Sequence, residues 1–415
     1  MTYLGSPYVF RYYLLVPAGK TLNIEPGVVL KFDSGWGVEV DGILKAVGEE
    51  NGKIIFTSLN EPAYWNGIYF TASSINSELN WTEIRYARDS ARDGRPAVSA
   101  NDSSIILKNS TVEKYNLIGL KLFNSTSTIE KTNFLGSGVT GISIIEGSPL
   151  VLDCDFIGGN KYGIYVQTTG MPIIEGNNFE GNEYPIFANS LNVIFKNNRG
   201  QNNTINGIAL HGNIRNDITW FKNEIPYIIF DFVLIEPGYS LTIEPGITVK
   251  GYRVGQYRSY LEIEGRLTAE GTPEEPIVFT SYSSGSWSGL TFSATSQNSI
   301  LKNVIVEYGG IWRPFRYIWG AVSVVESSIE FIDSVSASSS DAGIYLRNSS
   351  STVENSHFEN NKTGITIAGA EPEPQLINNI FSGNQYDICW PSNKTRCEEI
   401  AASSPDLIVK CNSCP

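Results

Sequence analysis

The chain has 415 residues, among them 39 glycines, and its 43 acidic and 30 basic side chains give a formal net charge of −13. This acidity excludes a nucleic-acid binder that works by neutralising phosphates, and an aromatic content of 12% excludes a disordered acidic tail. No apolar run reaches the roughly 18 residues that a membrane-spanning helix needs.

The opening segment, MTYLGSPYVFRYYLLVPAGK, carries an apolar stretch that Arg11 interrupts. A signal peptide would need a basic region before its apolar stretch, and this segment has none. We therefore interpret it as mature sequence. Whether further residues precede it in the native protein is left open by the sequence.

A long internal repeat divides the chain into two copies of one unit. The segment Pro7–Phe32 (PYVFRYYLLVPAGKTLNIEPGVVLKF) recurs 219 residues later as Pro226–Gly251 (PYIIFDFVLIEPGYSLTIEPGITVKG). The strings WNGIYF and WSGLTF, which begin at Trp65 and Trp287, form a second matching pair. The two copies meet near residue 219, and no Gly/Ser-rich or charged linker separates them.

A shorter period of about 22 residues runs inside each copy. It separates Gly119, Gly141, Gly163, Pro185 and Gly207, each of which is followed by Leu or Ile. Within the period, short alternating strands are separated by Gly, Asn and Asp clusters, which favours strand–turn–strand structure. A turn of this size buries few apolar residues, so successive turns must stack on one another to be stable.

Two sets of residues mark equivalent positions in successive turns. They are Phe134, Phe156 and Phe179, and the residues before them, Asn133, Asp155 and Asn178. We expect the phenylalanines to stack inside the solenoid. We expect the polar residues to form a ladder at a tight corner, because Asn and Asp tolerate left-handed backbone.

These patterns resemble the right-handed parallel β-helix repeat superfamily, the group of carbohydrate-binding and sugar-hydrolysis domains. The resemblance rests on LNIEPGVVLKF and LTIEPGITVKG, on WNGIYF and WSGLTF, and on turns such as NKYGIYV, and it covers about Pro7 to Trp390. It implies an all-β chain folded as a single-stranded right-handed parallel β-helix, a solenoid of roughly 16–18 turns. The EPG turn together with the Trp-x-Gly strand is most similar to large secreted or cell-surface members.

The predicted organisation is a β-helix unit over residues 1–219, a duplicate unit over 220–390 that continues it, and a Cys-rich cap over 391–415. The cap region contains or adjoins Cys389, Cys397, Cys411 and Cys414. Because the chain resembles extracellular proteins, we expect two disulfides in a tail that covers the last turn. The spacing leaves a loose zinc site as the alternative. Cys154, inside the repeat, is expected to be a buried free thiol.

Catalytic motifs of the fold are largely missing. Hydrolases similar to polygalacturonase would need aspartates near Gly-His-Gly and Arg-x-Lys motifs, which this chain lacks; we expect His211 and His357 to be structural or solvated. Lyase chemistry needs a Lys or Arg base and acidic residues that bind Ca²⁺. The weak candidates for it are Asp89, Arg92, Asp93 and Arg95, in a loop whose alternative is a plain charged surface. No cofactor is expected outside such Ca²⁺ chemistry.

Two long loops of the second copy combine aromatic and basic residues. The glycan-binding candidates are Tyr252, Arg253, Tyr257, Arg258 and Tyr260 in the first loop, and Trp312, Arg313, Arg316, Tyr317 and Trp319 in the second. Aligned repeats place the loops two turns apart on one edge, roughly 10 Å by the strand spacing. Aromatic faces beside guanidinium groups suit sugar rings and acidic groups. The alternative is that these aromatics pack on one another, as we expect of Trp65 and Trp287.

Two further features concern the surface and the first strands. N-glycosylation triplets begin at Asn80, Asn101, Asn109, Asn124, Asn202, Asn348, Asn361 and Asn393. The first strand, over Tyr8 to Val16, would present an open edge unless upstream residues or another chain cover it. Cover by another chain would be a head-to-tail contact, which can generate filaments.

Two functions remain in view. The first is an extracellular or cell-surface β-helix protein without enzymatic activity, whose loops bind a polysaccharide or glycan surface or further copies of itself. The alternative is a polysaccharide lyase, hydrolase or epimerase that acts on an acidic glycan in a groove along the helix. We expect neither nucleic acid nor a membrane span among its partners and features.

Overall fold

A computed structural model describes residues 1–87, 96–136, 138–252, 259–283, 285–310, 319–369, 371–412 and 414. The chain is a parallel β-solenoid of about 16 turns with about 23 residues per turn and 3% helix. This confirms the predicted all-β parallel β-helix and its short period. Two compact units are present: residues 1–208 with 223–225, and residues 209–222 with 226–415. We call them unit 1 and unit 2.

Unit 1 begins with a 3₁₀ turn at Tyr3–Gly5 and continues as short strands. The strands are Tyr8–Phe10 (β1), Leu14–Val16 (β2), Thr21–Ile24 (β3), Val29–Phe32 (β4), Val38–Val40 (β5), Ile43–Val47 (β6), Ile54–Ser58 (β7), Ile68–Phe70 (β8), Ile75–Asn80 (β9), Thr82–Arg85 (β10), Val98–Asn101 (β11), Ser104–Lys108 (β12), Thr111–Glu113 (β13), Ile118–Ser125 (β14), Thr128–Glu130 (β15), Asn133–Leu135 (β16), Thr140–Gly147 (β17), Leu150–Leu152 (β18), Asp155–Ile157 (β19), Tyr162–Gln167 (β20), Ile173–Glu175 (β21), Asn178–Glu180 (β22), Tyr184–Ala188 (β23), Ile194–Lys196 (β24) and Arg199–Gln201 (β25).

Ile208–Ile214 (β26) spans the division, and the remaining elements belong to unit 2. They are Ile218–Trp220 (β27), Tyr227–Ile235 (β28), Ser240–Ile243 (β29), Thr248–Tyr252 (β30), Tyr260–Ile263 (β31), Arg266–Glu270 (β32), Ile277–Ser281 (β33), Gly289–Phe292 (β34), Ser299–Lys302 (β35), Val304–Glu307 (β36), Gly320–Val325 (β37), Ile329–Ile332 (β38), Val335–Ala337 (β39), Ala342–Arg347 (β40), Thr352–Glu354 (β41), His357–Glu359 (β42), Thr363–Ala368 (β43), Gln375–Ile377 (β44), Ile380–Ser382 (β45), Tyr386–Cys389 (β46), the helix Lys394–Ser403 (α1) and Val409–Lys410 (β47).

Every third strand joins the same parallel sheet. In unit 1 the first sheet runs from β1 through β4 to β25, the second from β2 through β5 to β23, and the third from β3 through β6 to β24. Unit 2 repeats this arrangement, and its long strand β28 pairs with β30 in the first sheet and with β31 in the second. The third sheet of unit 2 runs from β27 through β29 to β44.

The predicted phenylalanine stack lies in the core of unit 1. Phe134, Phe156 and Phe179 are fully buried, and their ring centroids are 5.1 and 4.9 Å apart with nearly parallel planes. Inward side chains of adjacent strands in a parallel sheet lie directly above one another, about one strand spacing apart. The spacing of 22 and 23 residues between the phenylalanines therefore predicted their contact correctly.

The predicted polar ladder exists, but its backbone conformation was predicted wrongly. Asn133, Asp155 and Asn178 lie in register inside extended strands, and the Asn178 amide donates to Asp155 Oδ1 over 3.0 Å. The left-handed residues come two positions earlier, for example Lys131 with φ 47° and Asp153 with φ 51°. The corner precedes the strand because an inward phenylalanine needs extended backbone on both of its sides.

A buried amide ladder forms the corner before the first sheet. Asn177 Oδ1 accepts the backbone N–H of Cys154 over 2.9 Å, and Asn198 Oδ1 accepts the N–H of Asn177 over 3.2 Å. The Asn177 amide also donates to the carbonyl of Val151. Corners leave backbone groups without a strand partner, and an inward Asn supplies both the acceptor and the donor that they lack. Ser334 and Ser356 do the same in unit 2.

The C-terminal tail packs against the last strand of unit 2. Strand β47 pairs with β46, and disulfides join Cys389 to Cys414 and Cys397 to Cys411. This confirms the two predicted disulfides. Cys154 is a buried free thiol, as predicted, and burial raises its pKa to about 12.

In the described parts of the chain, none of the helices is long and apolar enough for a transmembrane segment.

Candidate glycan-binding surface

The sequence-predicted site residues divide into two groups. Outside the described residues lie the catalytic candidates Asp89, Arg92, Asp93 and Arg95 and the loop residues Arg253, Tyr257, Arg258, Trp312, Arg313, Arg316 and Tyr317. Tyr252, Tyr260 and Trp319, at the borders of the two loops, are described. The surface is therefore built from these three residues and from the strands that the loops enter.

The loops lead into strands of the second sheet of unit 2. Residues 253–258 precede β31 and residues 311–318 precede β37, and β34 lies between these two strands. Side chains alternate between the two faces of a strand, so every second residue points away from the core. We call the outward register series of this sheet the unit-2 column; it consists of Leu234, Glu262, Thr291, Ser323, Tyr345 and Thr366.

The middle of the unit-2 column carries buried polar groups. Glu262 is 6% exposed, although its strand neighbours Leu261 and Ile263 fill the core side. Thr291 Oγ1, on the next strand of the column, is buried and has no hydrogen-bond partner within the described residues. An unsatisfied buried hydroxyl costs about 1–3 kcal/mol. A ligand hydroxyl that bonded to it would remove this cost.

Aromatic rings also lie on the first sheet, at the ends of the strands that precede β31 and β34. Tyr252 stacks on Phe230 at 5.2 Å and meets Tyr282 edge-on at 5.2 Å, and all three are half-buried. Tyr260 is 7% exposed and packs 6.0 Å from Phe232. Tyr260 therefore supports the fold, whereas Tyr252 and Tyr282 keep part of their rings accessible.

A second aromatic group lies beyond the other loop. Trp319 is 40% exposed, its ring is 6.2 Å from that of Tyr345, and its backbone N–H donates to Ser323 Oγ over 3.1 Å. Burial raises the pKa of Tyr345. The positive charge of Arg347 opposes this shift, and the negative charge of Asp341 adds to it. At neutral pH, Tyr345 thus keeps its proton and can donate a hydrogen bond.

Unit 1 repeats the column with different side chains. The unit-1 column is Leu15, Glu39, Tyr69, Ser99, Lys121, Ser143, Tyr165 and Phe187. Glu39 takes the position of Glu262, and Tyr69 takes that of Thr291. The connections that precede β20 and β23 are only a few residues long. This part of the face therefore carries no long loop.

Four aromatic residues at the end of the unit-1 column escaped the sequence analysis. Tyr162 lies 5.5 Å from Tyr165, 5.6 Å from Tyr184 and 5.3 Å from Phe187 between ring centroids. The signal was present in the strings NKYGIYV and NEYPIFA, where Tyr165 stands between Ile164 and Val166, and Phe187 between Ile186 and Ala188. This alternation indicates an aromatic outer face over an aliphatic core.

The remaining predicted residues have structural surroundings. Trp65 and Trp287 are buried, and their indole N–H groups donate to the carbonyls of Arg85 and Glu307, which confirms their role in packing. The ring of His211 lies 4.8 Å from that of Phe232. His357 is exposed, and its Nδ1 lies 3.8 Å from Glu359 Oε1.

The glycosylation triplets differ in exposure. Asn124, Asn202 and Asn348 are exposed, Asn80, Asn101, Asn109 and Asn393 are half-buried, and Asn361 is 3% exposed. The Asn361 amide donates to the carbonyl of Ser336 over 2.9 Å. A glycan on Asn361 would break this bond, so we keep the exposed sites as the ones that fit a modification. Among the described residues, no group of three or more His, Cys, Asp or Glu is placed to hold a metal ion.

Solved structures give three partial likenesses. A double mutant of the tailspike protein of E. coli bacteriophage HK620, in complex with a pentasaccharide, is 14% identical, with 90% of this chain and 72% of that chain covered and a TM-score of 0.26. The PL6 family alginate lyase AlyGC is 10% identical, with 91% and 85% covered and a TM-score of 0.23. PfbA, a surface adhesin of Streptococcus pneumoniae, is 11% identical, with 92% and 83% covered and a TM-score of 0.14. At these TM-scores the likenesses carry no argument about function.

Family-level similarity is stronger. No curated protein matches the sequence. A pectate-lyase-like β-helix domain matches residues 212–310. The family described as the right-handed β-helix region matches residues 97–229 and 268–400, more than half of the chain. The chain therefore belongs to the right-handed β-helix family.

Proposed function

We propose that the protein is an extracellular β-helix protein that binds carbohydrate without turning it over, through the outer face of the second sheet of unit 2. The observation that carries this proposal is the buried hydroxyl of Thr291, which has no hydrogen-bond partner within the described residues and lies in register with the buried Glu262 of the neighbouring strand. Polar groups of this kind suit the hydroxyls of a sugar, which donate and accept hydrogen bonds.

The aromatic groups support the same ligand class. Trp319 and Tyr345 on the second sheet, and Tyr252 and Tyr282 at the ends of first-sheet strands, offer partly accessible rings on which the apolar face of a sugar can pack. The loops between them contain Arg253, Arg258, Arg313 and Arg316 in the sequence. Because guanidinium groups bind carboxylates and sulfates in pairs of hydrogen bonds, the expected ligand is an acidic polysaccharide.

An extracellular location is supported by the cap. Its two disulfides form and persist in oxidising compartments and are rare in the cytosol. Mass spectrometry of native material before and after reduction tests this. Four alkylatable cysteines in addition to Cys154 before reduction would contradict an oxidised cap.

Glycan-array binding and titration calorimetry test the proposal. We expect the protein to bind acidic oligosaccharides without releasing product, and Trp319→Ala and Thr291→Val to weaken binding at least about tenfold, the effect of losing one key contact. Tyr239→Ala is the matched control, because Tyr239 is an exposed tyrosine of the same unit, in the turn that precedes β29. Equal affinity of wild type and Trp319→Ala for every acidic ligand would contradict the proposal.

One observation keeps an enzymatic function as the second candidate. A carboxylate as buried as Glu262 is uncommon on an outer face and is the kind of group that serves as a general acid or base. A lyase, hydrolase or epimerase would release or alter product from an acidic polysaccharide, with or without Ca²⁺. Product release that Glu262→Gln abolishes, with ligand binding retained, would replace our proposal with this one.

Head-to-tail self-association also stays a prediction. Among the described residues, β1 and β2 each pair with one neighbouring strand, so their other edges can accept a strand, whereas Met1 already bonds to the outer edge of β3. Mass photometry over a dilution series tests it. We expect concentration-dependent larger species, and a strict monomer at micromolar concentration would remove the idea.

A further inference from the structure

A second surface of different chemistry lies on unit 1. We call it the tyrosine surface and define it by Tyr162, Tyr165, Gln167, Phe187 and Asn189. The first three belong to β20, and Phe187 and Asn189 belong to or directly follow β23, the next strand of the same sheet. All five are half-buried or exposed. The surface is therefore accessible along two successive turns.

Its rings are held in fixed positions. The ring planes of Tyr165 and Phe187 are within 8° of parallel at a centroid distance of 6.3 Å, and Tyr162 contacts both. Beneath them lies Tyr184, which is 7% exposed. A rigid aromatic surface loses little conformational entropy when a ligand binds, which favours affinity.

Polar groups are placed between the rings. The Tyr165 hydroxyl donates to Gln167 Oε1 over 3.0 Å and accepts from the Asn189 amide over 2.9 Å. These bonds fix the amides of Gln167 and Asn189 beside the rings, and each amide retains further hydrogen-bonding capacity. The combination of apolar rings and flanking amides matches a pyranose, which has apolar C–H faces and hydroxyls at its rim.

The charges around the tyrosine surface balance. Lys161 and Glu183 occupy equivalent positions just before β20 and β23, and both are exposed. The Lys161 ammonium lies 5.2 Å from the centre of the Tyr162 ring, where it interacts with the ring face. One positive and one negative charge leave the surface near neutral. It therefore offers no net attraction to an acidic chain.

We infer that the tyrosine surface binds uncharged sugar residues and is a second carbohydrate site, distinct from the unit-2 column in its residues and ligand class. The inference shares with the proposed function the choice of carbohydrate as ligand but uses none of its residues. A protein partner would need roughly 1,000 Å² of complementary contact in total, whereas five side chains on two turns suit a short stretch of glycan.

Titration calorimetry with uncharged hexaoses of glucose, mannose and xylose tests the inference on the full chain. We expect at least one hexaose to bind, and Tyr165→Ala and Phe187→Ala each to weaken its affinity at least about tenfold. Gln167→Ala is the milder variant that keeps the rings, with an expected loss of about threefold to tenfold. Trp319→Ala and Tyr239→Ala are the controls, and both should leave this binding unchanged.

Salt distinguishes the two sites. Raising the ionic strength should leave hexaose binding unchanged and weaken the binding of an acidic oligosaccharide, since screening acts on charges. No binding of any hexaose, or hexaose binding that Tyr165→Ala and Gln167→Ala leave intact, would overturn the inference. Neither result would touch acidic-glycan binding at the unit-2 column, so the two proposals fail separately.

Discussion

The second sheet has the same backbone in the two units but presents different outer faces. Glu39 and Glu262 hold one shared position, and Ser99 and Ser323 hold another. Around these, unit 2 carries two long loops in its sequence and the hydroxyl of Thr291, which has no hydrogen-bond partner among the described residues, whereas the end of unit 1 carries the tyrosine surface. Inward side chains and corners determine the path of the chain, and the outward positions are free to vary. The comparison teaches that duplication kept the scaffold and diversified the outer face.

The interiors of the two units differ less than their outer faces. Where equivalent core residues differ in exposure, the more buried one should cost more stability when it is replaced by Ala. The largest expected effect is that of Phe156→Ala, which should lower the free energy of unfolding by about 3–5 kcal/mol, because a fully buried ring leaves a cavity between Phe134 and Phe179. Phe381 holds the equivalent position in unit 2 but is half-buried, so Phe381→Ala should cost less. Chemical denaturation measures both, and an equal cost would contradict the dependence on burial that we infer.

The amide ladder should come next. Asn177→Ala removes an acceptor for Cys154 N–H and donors to Val151 and Asn198, so it should lower the free energy of unfolding by about 3 kcal/mol. The control is Asn178→Ala, whose side chain is half-buried and points outward; it should change stability by no more than about 0.5 kcal/mol. Similar effects of the two substitutions would argue against a ladder.

Two serines of unit 2 offer a test of opposite sign. Ser334 Oγ accepts the N–H of Val304 and donates to the carbonyl of Ile332, so Ser334→Ala should destabilise by about 1 kcal/mol. Ser336 Oγ is buried and has no hydrogen-bond partner within the described ranges, so Ser336→Ala should be neutral or stabilising. Thermal denaturation ranks the three proteins. If Ser336→Ala lowered the stability as much as Ser334→Ala, the hydroxyl of Ser336 would have to make a hydrogen bond, which would contradict the structure.

The smallest expected effect on stability is that of an ion pair which is present in unit 1 and absent from the equivalent positions of unit 2. Burial raises the pKa of Glu83, but hydrogen bonds from Arg85 and Lys53 outweigh it and leave the pKa lowered. Ile305 and Glu307 take the places of Glu83 and Arg85 in unit 2. A lowered pKa stabilises the fold above the unfolded-state pKa, and this stability is lost as the pH falls through the folded-state value.

Glu83→Gln should therefore lower the free energy of unfolding at neutral pH by no more than about 1 kcal/mol. The difference from wild type should shrink as the pH falls through the lowered folded-state pKa of Glu83 and vanish below it, where the carboxylate is protonated. Denaturation curves at several pH values measure it, with the exposed Glu330→Gln as control. A difference that persisted in acid would show that Glu83 acts through packing.

Much of the fold could be predicted from the sequence because its period is short and repeats often. The 22-residue spacing predicts parallel in-register stacking, which brings Phe134, Phe156 and Phe179 together, and the four C-terminal cysteines predict a disulfide cap. The corner was misplaced by two residues because Asn suits both the left-handed corner and the flank of a strand. Composition alone does not distinguish them.

The sites were harder to predict, for a different reason. Aromatic–basic loops attract attention by composition, whereas the tyrosine surface is spread over two strands and its rings meet only when β20 and β23 pair. Nothing in the sequence marks Thr291. Its hydroxyl stands out only in the structure, where it is buried and has no hydrogen-bond partner among the described residues. Such features depend on register and packing, which a single strand does not encode.

The most direct test of the central claim, that the two faces bind different carbohydrates, is a competition titration. An acidic oligosaccharide is titrated into the protein alone and into protein saturated with an uncharged hexaose. Two independent surfaces predict the same Kd and stoichiometry in both titrations, with Trp319→Ala affecting only the acidic ligand and Tyr165→Ala only the uncharged one. Mutual displacement of the two ligands, or loss of both in a single variant, would contradict it.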